Sequence, residues 1–419
     1  MLQAGQTEGL SSSSELRRPL AELPHRPAEG QPVTLLTANW TPLSGASHAI
    51  ALDVLINGPL SRAELARRLD LSAGSLTRLA RPLVDAGLLV EVETHNGDAR
   101  NGDPRLGRPE KPLDVVPTSH HFIGIKLTGD TAYGVLTTLR AEVVASQDLP
   151  LIDAAPEAVC AVIAELVARL SAHGPTVTAV GISIGGQAPD HATVLAAPFL
   201  RWHDVPLAAM VEAATGLPTV VENDVIALTE AEHWFGAGRG LGRFAVITIG
   251  AGVGFSLVIR GHLSRGLDAG LGLVGHVPLD PAGPVCFAGH RGCSTAMLTM
   301  PSIAASASVA LRRQVDYDEV LDLALAGDPA AERIVADAAR ALGRLIALAA
   351  NMTMPERVVL SGEGVRLVDV ARQHIAAAIA ADRDPAASPV DFDVRRGDFT
   401  QWARGAAVIA IQTYVLGAD

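Results

Sequence analysis

The sequence predicts a small, mainly α winged helix-turn-helix domain joined to a two-lobed α/β body. Three features predict it. Residues 47–91 hold three short helical segments followed by an alternating strand. From residue 117 the pattern changes to strands alternating with longer helices. Two stretches in that region, "HHFIGIKLTGDTAYGVLTTL" and "RFAVITIGAGVGFSLVIRGHL", repeat one arrangement of strand, glycine turn and strand. Two such units suggest a duplicated lobe pair with a cleft between.

Residues 1–40 are rich in Ser, Pro, Gly and Gln and read as a flexible tail. Residues 41–116 form the predicted winged helix. Its first helix, in "SHAIALDVLINGP", takes Ser47 as N-cap and turns Ile50, Val54 and Leu55 inward. Ser61 starts the second helix, with Glu64 three residues on as a capping box. Ser72 caps the third, whose Leu76, Leu79, Leu83 and Val84 make one stripe. Gly87 ends it, and "LLVEVE" alternates as a strand. In a winged helix the third helix enters the major groove with its N-terminal turn on the base edges. Ser72, Ala73, Ser75, Thr77, Arg78 and Arg81 are therefore the candidate groove residues. The segment 94–115 supplies a basic wing with Arg100, Arg105, Arg108 and Lys111, and its "GRP" turn suits either a minor groove or a solvated hairpin.

Composition sets the class. The chain of 419 residues has 48% hydrophobic and 4% aromatic residues, so its core is built from Ala, Val, Leu and Ile. The mean hydropathy of +0.28 invites a membrane reading. No run of about 18 uncharged apolar residues supports it; the longest candidate, "ALGRLIALAANM", is broken by Arg344. The first thirty residues hold no apolar signal-peptide core, and 3 cysteines make no disulfide framework, so a reducing cytoplasm is expected. The net charge of −12 confines any contact with nucleic acid to a local basic face.

The body divides at about residue 240, into lobes 117–240 and 241–419, with the last helix free to pack back on the first lobe. "PEAVCAVIAELVARLSAHG" is an amphipathic helix that ends at Gly174, and Cys160 lies on its core face. "AAERIVADAARALGRLIALAANMTMPERVVLSGEGV" reads as a long helix, a buried strand and a glycine turn.

Residues 117–419 resemble the ROK family of repressors, open reading frames and sugar kinases. The markers are "VENDVIAL", "TIGAGVG", "GLVGH", "CFAGHRGC" and "LSGEGV", in that order, behind a winged helix. The resemblance implies an actin-like (ribonuclease H-like) body and the transcription-factor branch of the family. Family kinases carry Asp-x-Gly-Gly-Thr-Lys at the first phosphate turn. Here the turn reads Lys126, Leu127, Thr128, Gly129, Asp130, Thr131. The leading acid is a lysine, and Asp130 adds a carboxylate that repels phosphate by ~4 kcal/mol at about 4 Å and an effective dielectric near 20. The second turn, Gly250-Ala251-Gly252, has Ala where the kinases have Thr. These departures imply that ATP is not used and that the chain is not an enzyme; a sugar kinase with an appended DNA-binding domain is the alternative.

The resemblance also implies a ligand site. Asn223 and Asp224 match the family's sugar-binding Asn and catalytic base, and His276 matches a His that meets sugar and metal. Phe199, Leu273 and Thr295 replace an Asn and two acids that bind sugar hydroxyls in the family. Unpaired hydroxyls cost about 1–3 kcal/mol each, so the expected effector is less polar than glucose or a modified sugar, unless a sugar binds in a shifted pose or the pocket is empty. For structural zinc, His276, Cys286 and Cys293 keep three ligand positions; Ala288 holds the fourth, with His290 as a substitute. The loop either keeps zinc this way or folds by packing alone. The combined expectation is a repressor of carbohydrate-related genes. It would bind a double-stranded operator as a homodimer or tetramer and answer to a small sugar-like effector.

Overall fold

The computed structural model describes residues 42–93, 111–266 and 268–417. The tail and the wing residues Arg100, Arg105 and Arg108 lie outside the described residues. Helices α1 (Gly45–Asn57), α2 (Arg62–Arg68) and α3 (Ala73–Asp85) pack on a two-stranded sheet of β1 (Leu89–Glu91) and β2 (Leu113–Val115). Ile50, Val54, Leu55, Leu65, Leu76, Ala80 and Leu83 fill their core. Ser61 and Ser72 cap as expected, each oxygen accepting from the N–H three residues on at 3.1 Å. The expected Ser47 cap is corrected: α1 begins at Gly45 behind Ser44. The chain is brought in there by Leu43, whose N–H donates to the Val415 carbonyl at 3.2 Å, so the helix starts before Ser47. The expected six-residue strand at 88–93 is also shorter: the ladder with β2 holds Leu89, Val90 and Glu91. Single hydrogen bonds from the Val116 N–H to the Leu88 carbonyl and from the Val92 N–H to the Pro112 carbonyl, both 2.9 Å, flank it.

The body follows. Its first half runs β3 (His121–Leu127), β4 (Thr131–Thr138), β5 (Val143–Pro150), α4 (Pro156–Ser171) and β6 (Val177–Ile184). A hairpin of β7 (Val194–Ala197) and β8 (Trp202–Val205) precedes α5 (Leu207–Thr215), β9 (Thr219–Asn223) and α6 (Asp224–Phe235). Its second half starts with β10 (Arg243–Ile249), β11 (Val253–Ile259) and β12 (His262–Leu263). Helices α7 (Ser294–Leu298), α8 (Met300–Leu311), α9 (Tyr317–Leu325) and α10 (Pro329–Thr353) lead to β13 (Arg357–Ser361), α11 (Arg366–Ala381), β14 (Phe392–Val394) and α12 (Phe399–Ile411).

The two sheets have the same plan. The first is ordered β5-β4-β3-β6-β9 and the second β12-β11-β10-β13-β14. In each, the first strand of the half pairs antiparallel with the next and parallel with the strand after the crossover. The duplication expected from the two glycine turns is therefore present in the strand pairing. The central strands are almost wholly buried and read as continuous apolar runs, as parallel strands covered on both faces must.

Helix α12 belongs to the second half in sequence but lies on the first sheet. It approaches so closely that a Cβ on Gly124 of β3 would stand 2.0 Å from the Ala403 carbonyl oxygen, and one on Gly181 of β6 only 1.9 Å from that of Ala406. On its other side, a Cβ on Gly405 would fall 2.7 Å from the Ala227 carbonyl of α6. Residues Ala407–Ile411, with Val415 and Leu416, run into the same core cluster as the winged helix. Among the described residues no helix is long and apolar enough to cross a membrane.

Gly181→Val puts a branched side chain into that contact. The expected loss is about 3 kcal/mol of stability, by the overpacking cost of a filled core. Chemical denaturation of the two proteins checks it, and an unchanged midpoint would contradict the close approach.

Candidate DNA-contacting helix and ligand cleft

Helix α3 offers one open face. Ala73, Gly74, Thr77, Arg78 and Arg81 are exposed along it, at the one-turn spacing of neighbours on a helix surface. The Ser72 hydroxyl donates to Ser75 Oγ at 3.0 Å, and the Thr77 hydroxyl donates to the Ala73 carbonyl at 2.9 Å. Both groups thus keep acceptor lone pairs. Arg78 is exposed, and Arg81 meets Asp85 at 3.6 Å on the same surface. Helix α2 is held behind α3 by Arg68, whose guanidinium grips Asp53 of α1 with two hydrogen bonds of 2.6 and 2.7 Å. Lys111 is exposed at the foot of the wing.

The cleft is built at the strand ends. Strand β3 carries Lys126 inward, and β9 delivers Asn223 and Asp224 to the start of α6. Asn223 caps that helix: its Oδ1 accepts from the N–H groups of Val225 and Ile226 at 3.0 and 3.1 Å. Its Nδ2 donates to the Gly186 carbonyl at 2.9 Å. The side chain expected to hold a ligand thus also shapes the site, through its oxygen and one N–H of its amide.

Asp224 is engaged too. Its Oδ1 accepts from the Val225 N–H at 2.8 Å, and its Oδ2 takes a direct hydrogen bond from the Lys126 ammonium. The pair is secluded, with side-chain exposures of 6% for Lys126 and 14% for Asp224. Lys126 Nζ also lies 5.3 Å from the ring centre of Trp402 on α12, within cation–π reach. Partial positive charge at the α6 N-terminus further favours the carboxylate. Glu363, on the turn after β13, faces this pair. It is exposed overall, yet the cleft walls desolvate its carboxyl and push it above the ordinary range. Lys126 pulls it back and Asp224 pushes it further up.

Each of the two glycine turns has a carboxylate of the protein beside it. In the first, Thr128 Oγ1 lies 2.9 Å from Asp130 Oδ1 and 3.0 Å from the Thr131 carbonyl, and accepts from the Thr131 N–H at 3.1 Å. In the second, a Cβ on Gly250 would stand 2.3 Å from Glu363 Oε2. Phe199 covers the ground between. A Cβ on Gly185 would lie 3.2 Å from its ring and 3.4 Å from Asp224 Oδ2, which sets the ring beside the ion pair. Phe199 and Leu273 expose 57% and 65% of their surface and are open apolar surface. Thr295 is turned away from that role, its hydroxyl donating to the Gly275 carbonyl at 2.7 Å.

A second-half loop closes over this floor. Arg265 donates to the buried Glu222 at 2.6 Å and approaches Glu230 at 3.7 Å. Gln187 donates to the Ala269 carbonyl at 3.4 Å, and Gly270 sits against the Gly186 carbonyl and Asn223. The residue reading missed Arg265, Glu363 and Trp402. Of these Glu363 alone lies in a quoted marker, "LSGEGV", and its partner Lys126 stands out only as a departure; Glu222 likewise opens the "END" triplet.

Beyond the cleft, His276, Cys286, His290 and Cys293 come together, with their ligand atoms all within 4.8 Å of one another. His276 Nδ1 lies 3.7 Å from Cys286 Sγ and 3.8 Å from Cys293 Sγ. The loop is formed by a bridge between Val285 and Arg291, and Gly292 is forced by its φ of 54° and by the Asp280 carbonyl against its α-carbon. His290 lies beside His276, with ring centres 4.7 Å apart. Cys160 is buried in the α4 core, as expected.

The arrangement defines a winged-helix protein with a duplicated, actin-like body. It belongs to the ROK family, whose model matches residues 122–413; a MarR family model matches residues 41–101. The chain is 27% identical over 328 residues to the DNA-binding transcriptional repressor Mlc of Escherichia coli (strain K12), covering 75% of this chain and 79% of that one. It is 25% identical over 280 residues to the xylose repressor of Bacillus spizizenii, covering 66% and 71%. Among solved structures, a ROK family transcriptional regulator homologous to the E. coli Mlc protein shares the fold with a TM-score of 0.73 and 22% identity, over 87% of this chain and 95% of that one. A ROK family glucokinase from Streptomyces griseus, in complex with glucose and AMPPNP, matches with a TM-score of 0.60 and 26% identity, over 69% and 98%.

Proposed function

We propose that this chain is a DNA-binding transcriptional repressor of carbohydrate-related genes, governed by a small sugar-like effector in a body that has given up phosphoryl transfer. One observation carries the reading: Lys126 occupies the carboxylate of Asp224. A general base must be free to accept the substrate proton. Here one oxygen holds a backbone N–H and the other an ammonium. An incoming polyphosphate would also meet the carboxylate of Asp130, repulsive by ~4 kcal/mol at about 4 Å and an effective dielectric near 20, and the carboxyl of Glu363 beside the second turn.

The open surface of Phe199 and Leu273 favours an effector with an apolar face or substituent over a bare hexose. The relatives named for xylose and for N-acetylglucosamine support the sugar class. Operator recognition falls to the exposed turn of α3, with Arg78 and Arg81 reaching bases or phosphates. Two heads on a pseudo-palindromic operator fit a homodimer or tetramer.

Zinc fits the cluster of His276, Cys286, His290 and Cys293. Two thiolates and two imidazoles are a structural zinc set, and a tetrahedral zinc separates such atoms by about 3.4–3.8 Å. The two His276 to sulfur distances, 3.7 and 3.8 Å, match that spacing. Bound zinc would pin the 286–293 loop to the helical turn that ends at His276.

The reading is tested by mobility shift on DNA flanking the protein's own gene, with D-xylose, D-glucose and N-acetyl-D-glucosamine added in turn. The expected result is a salt-sensitive shift that one compound alters, with Arg78→Ala weakening it by about 1–3 kcal/mol, roughly five- to 150-fold. No shift, together with sugar-dependent ATP turnover, would favour the kinase. For the metal, elemental analysis of purified protein should find about one zinc per chain, falling sharply in His290→Ala. Zinc-free wild type would remove the site.

A further inference from the structure

Helices α6 and α12 each start at the Lys126–Asp224 pair and lead away from it towards the winged helix. Asp224 is the first residue of α6, and Trp402, in the first turn of α12, lies under the Lys126 ammonium. At 1.5 Å per residue, helices of 12 and 13 residues reach about 18 and 20 Å. The two are locked side by side where Gly405 meets Ala227. At the far end α12 passes into one π-helical turn, Gln412–Leu416, a form that recurs at functional sites.

That turn is tied to both partners. The Leu43 N–H donates to the Val415 carbonyl at 3.2 Å, and His48 Nδ1 lies 2.7 Å from the Leu416 carbonyl, both on the winged-helix side. Tyr414 donates to the Thr219 carbonyl at 2.8 Å, at the start of the strand that ends in Asn223. Ala227, Ala231 and Trp234 of α6 share the core cluster of Ile50, Val54 and Leu76.

We propose that Lys126 is a positioning residue that couples the cleft to the DNA-binding head: it holds Asp224 at the root of α6 and α12, and a polyhydroxy ligand acts by competing for Asp224 Oδ2. A ligand shifts a conformational balance only through different contacts in the two states. Here the difference is one exchange at Asp224 Oδ2, an ammonium for a hydroxyl, in a secluded site. Release of Lys126 frees the start of α12 from its cation–π contact and leaves the 412–416 turn to adjust against α1. This inference rests on the repressor reading, but its test needs neither operator nor effector.

The test is hydrogen exchange by mass spectrometry on the full chain, comparing wild type with Lys126→Met and with the doubly neutral Lys126→Met/Asp224→Asn. The double variant strands no charge, so a folding failure of the single variant does not end the test. The expected result is exchange at least fivefold faster in α1 and in residues 412–416, with α10 of the second half unchanged. Wild-type exchange at both distant segments, with changes only around residues 121–130 and 222–228, would overturn the proposal. Faster exchange spread equally into α10 would also overturn it, since that marks general loosening. Failure of the repressor reading would appear separately, as absence of the mobility shift.

Discussion

The closeness of α12 to the first sheet is the constraint on which the rest depends. No side chain separates the helix from β3 and β6 at Gly124 and Gly181, so backbone meets backbone. The last helix of the second half is thereby made part of the first. It covers the first sheet, supports α6 through Gly405, and carries its C-terminal residues into the core of the winged helix. A Cβ at any of these glycines would force the helix outward by more than packing tolerates. The head and the cleft are consequently not separate bodies joined by a linker. They share one helix and one apolar cluster.

The second governing feature is a charge exchange at the cleft floor. A buried ion pair is a poor source of stability, because desolvating both groups offsets most of their attraction. Removing one partner is different, since it strands the other. The Lys126–Asp224 pair is accordingly a device of arrangement more than of stability. It neutralises the Asp224 carboxylate, and on the proposed reading Lys126 stands where a family kinase would carry an acid. Glu363 and Asp130 bring negative charge to the phosphate turns, which reinforces the same outcome. What remains is a cleft with an aromatic face, an acid already committed to a weakly mobile partner, and a loop strapped across by Arg265.

Much of this was legible in the chain, for reasons that differ by element. The winged helix announced itself through Ser61 and Ser72, because capping is a local interaction between residues three apart. Ser47 misled for the same reason: the start of α1 is set by Leu43 and Val415, more than 300 residues apart and invisible to local pattern. The duplicated halves showed in the two glycine turns, and the sheet orders agree. Lys126 stood out as a departure, but its partner did not, since the pairing with Asp224 needs two strand ends brought together. Asn223 matched a ligand-binding position, while the structure has its amide capping α6 and holding Gly186. His290 was placed as a substitute ligand by its nearness to Ala288, and the turn at Gly292 brings it beside His276. Arg265 and Trp402 lie in stretches with no motif, and only the fold brings them to the site.

The central claim is that a cleft once shaped for phosphoryl transfer now senses a ligand without nucleotide. Titration calorimetry of the full chain with magnesium-ATP, alone and with each of the three sugars, tests it most directly. The account predicts no saturable heat for magnesium-ATP at millimolar concentration under any of these conditions. Saturable nucleotide binding in the micromolar range would mean that Lys126, Asp130 and Glu363 do not close the phosphate turns, and would contradict the account.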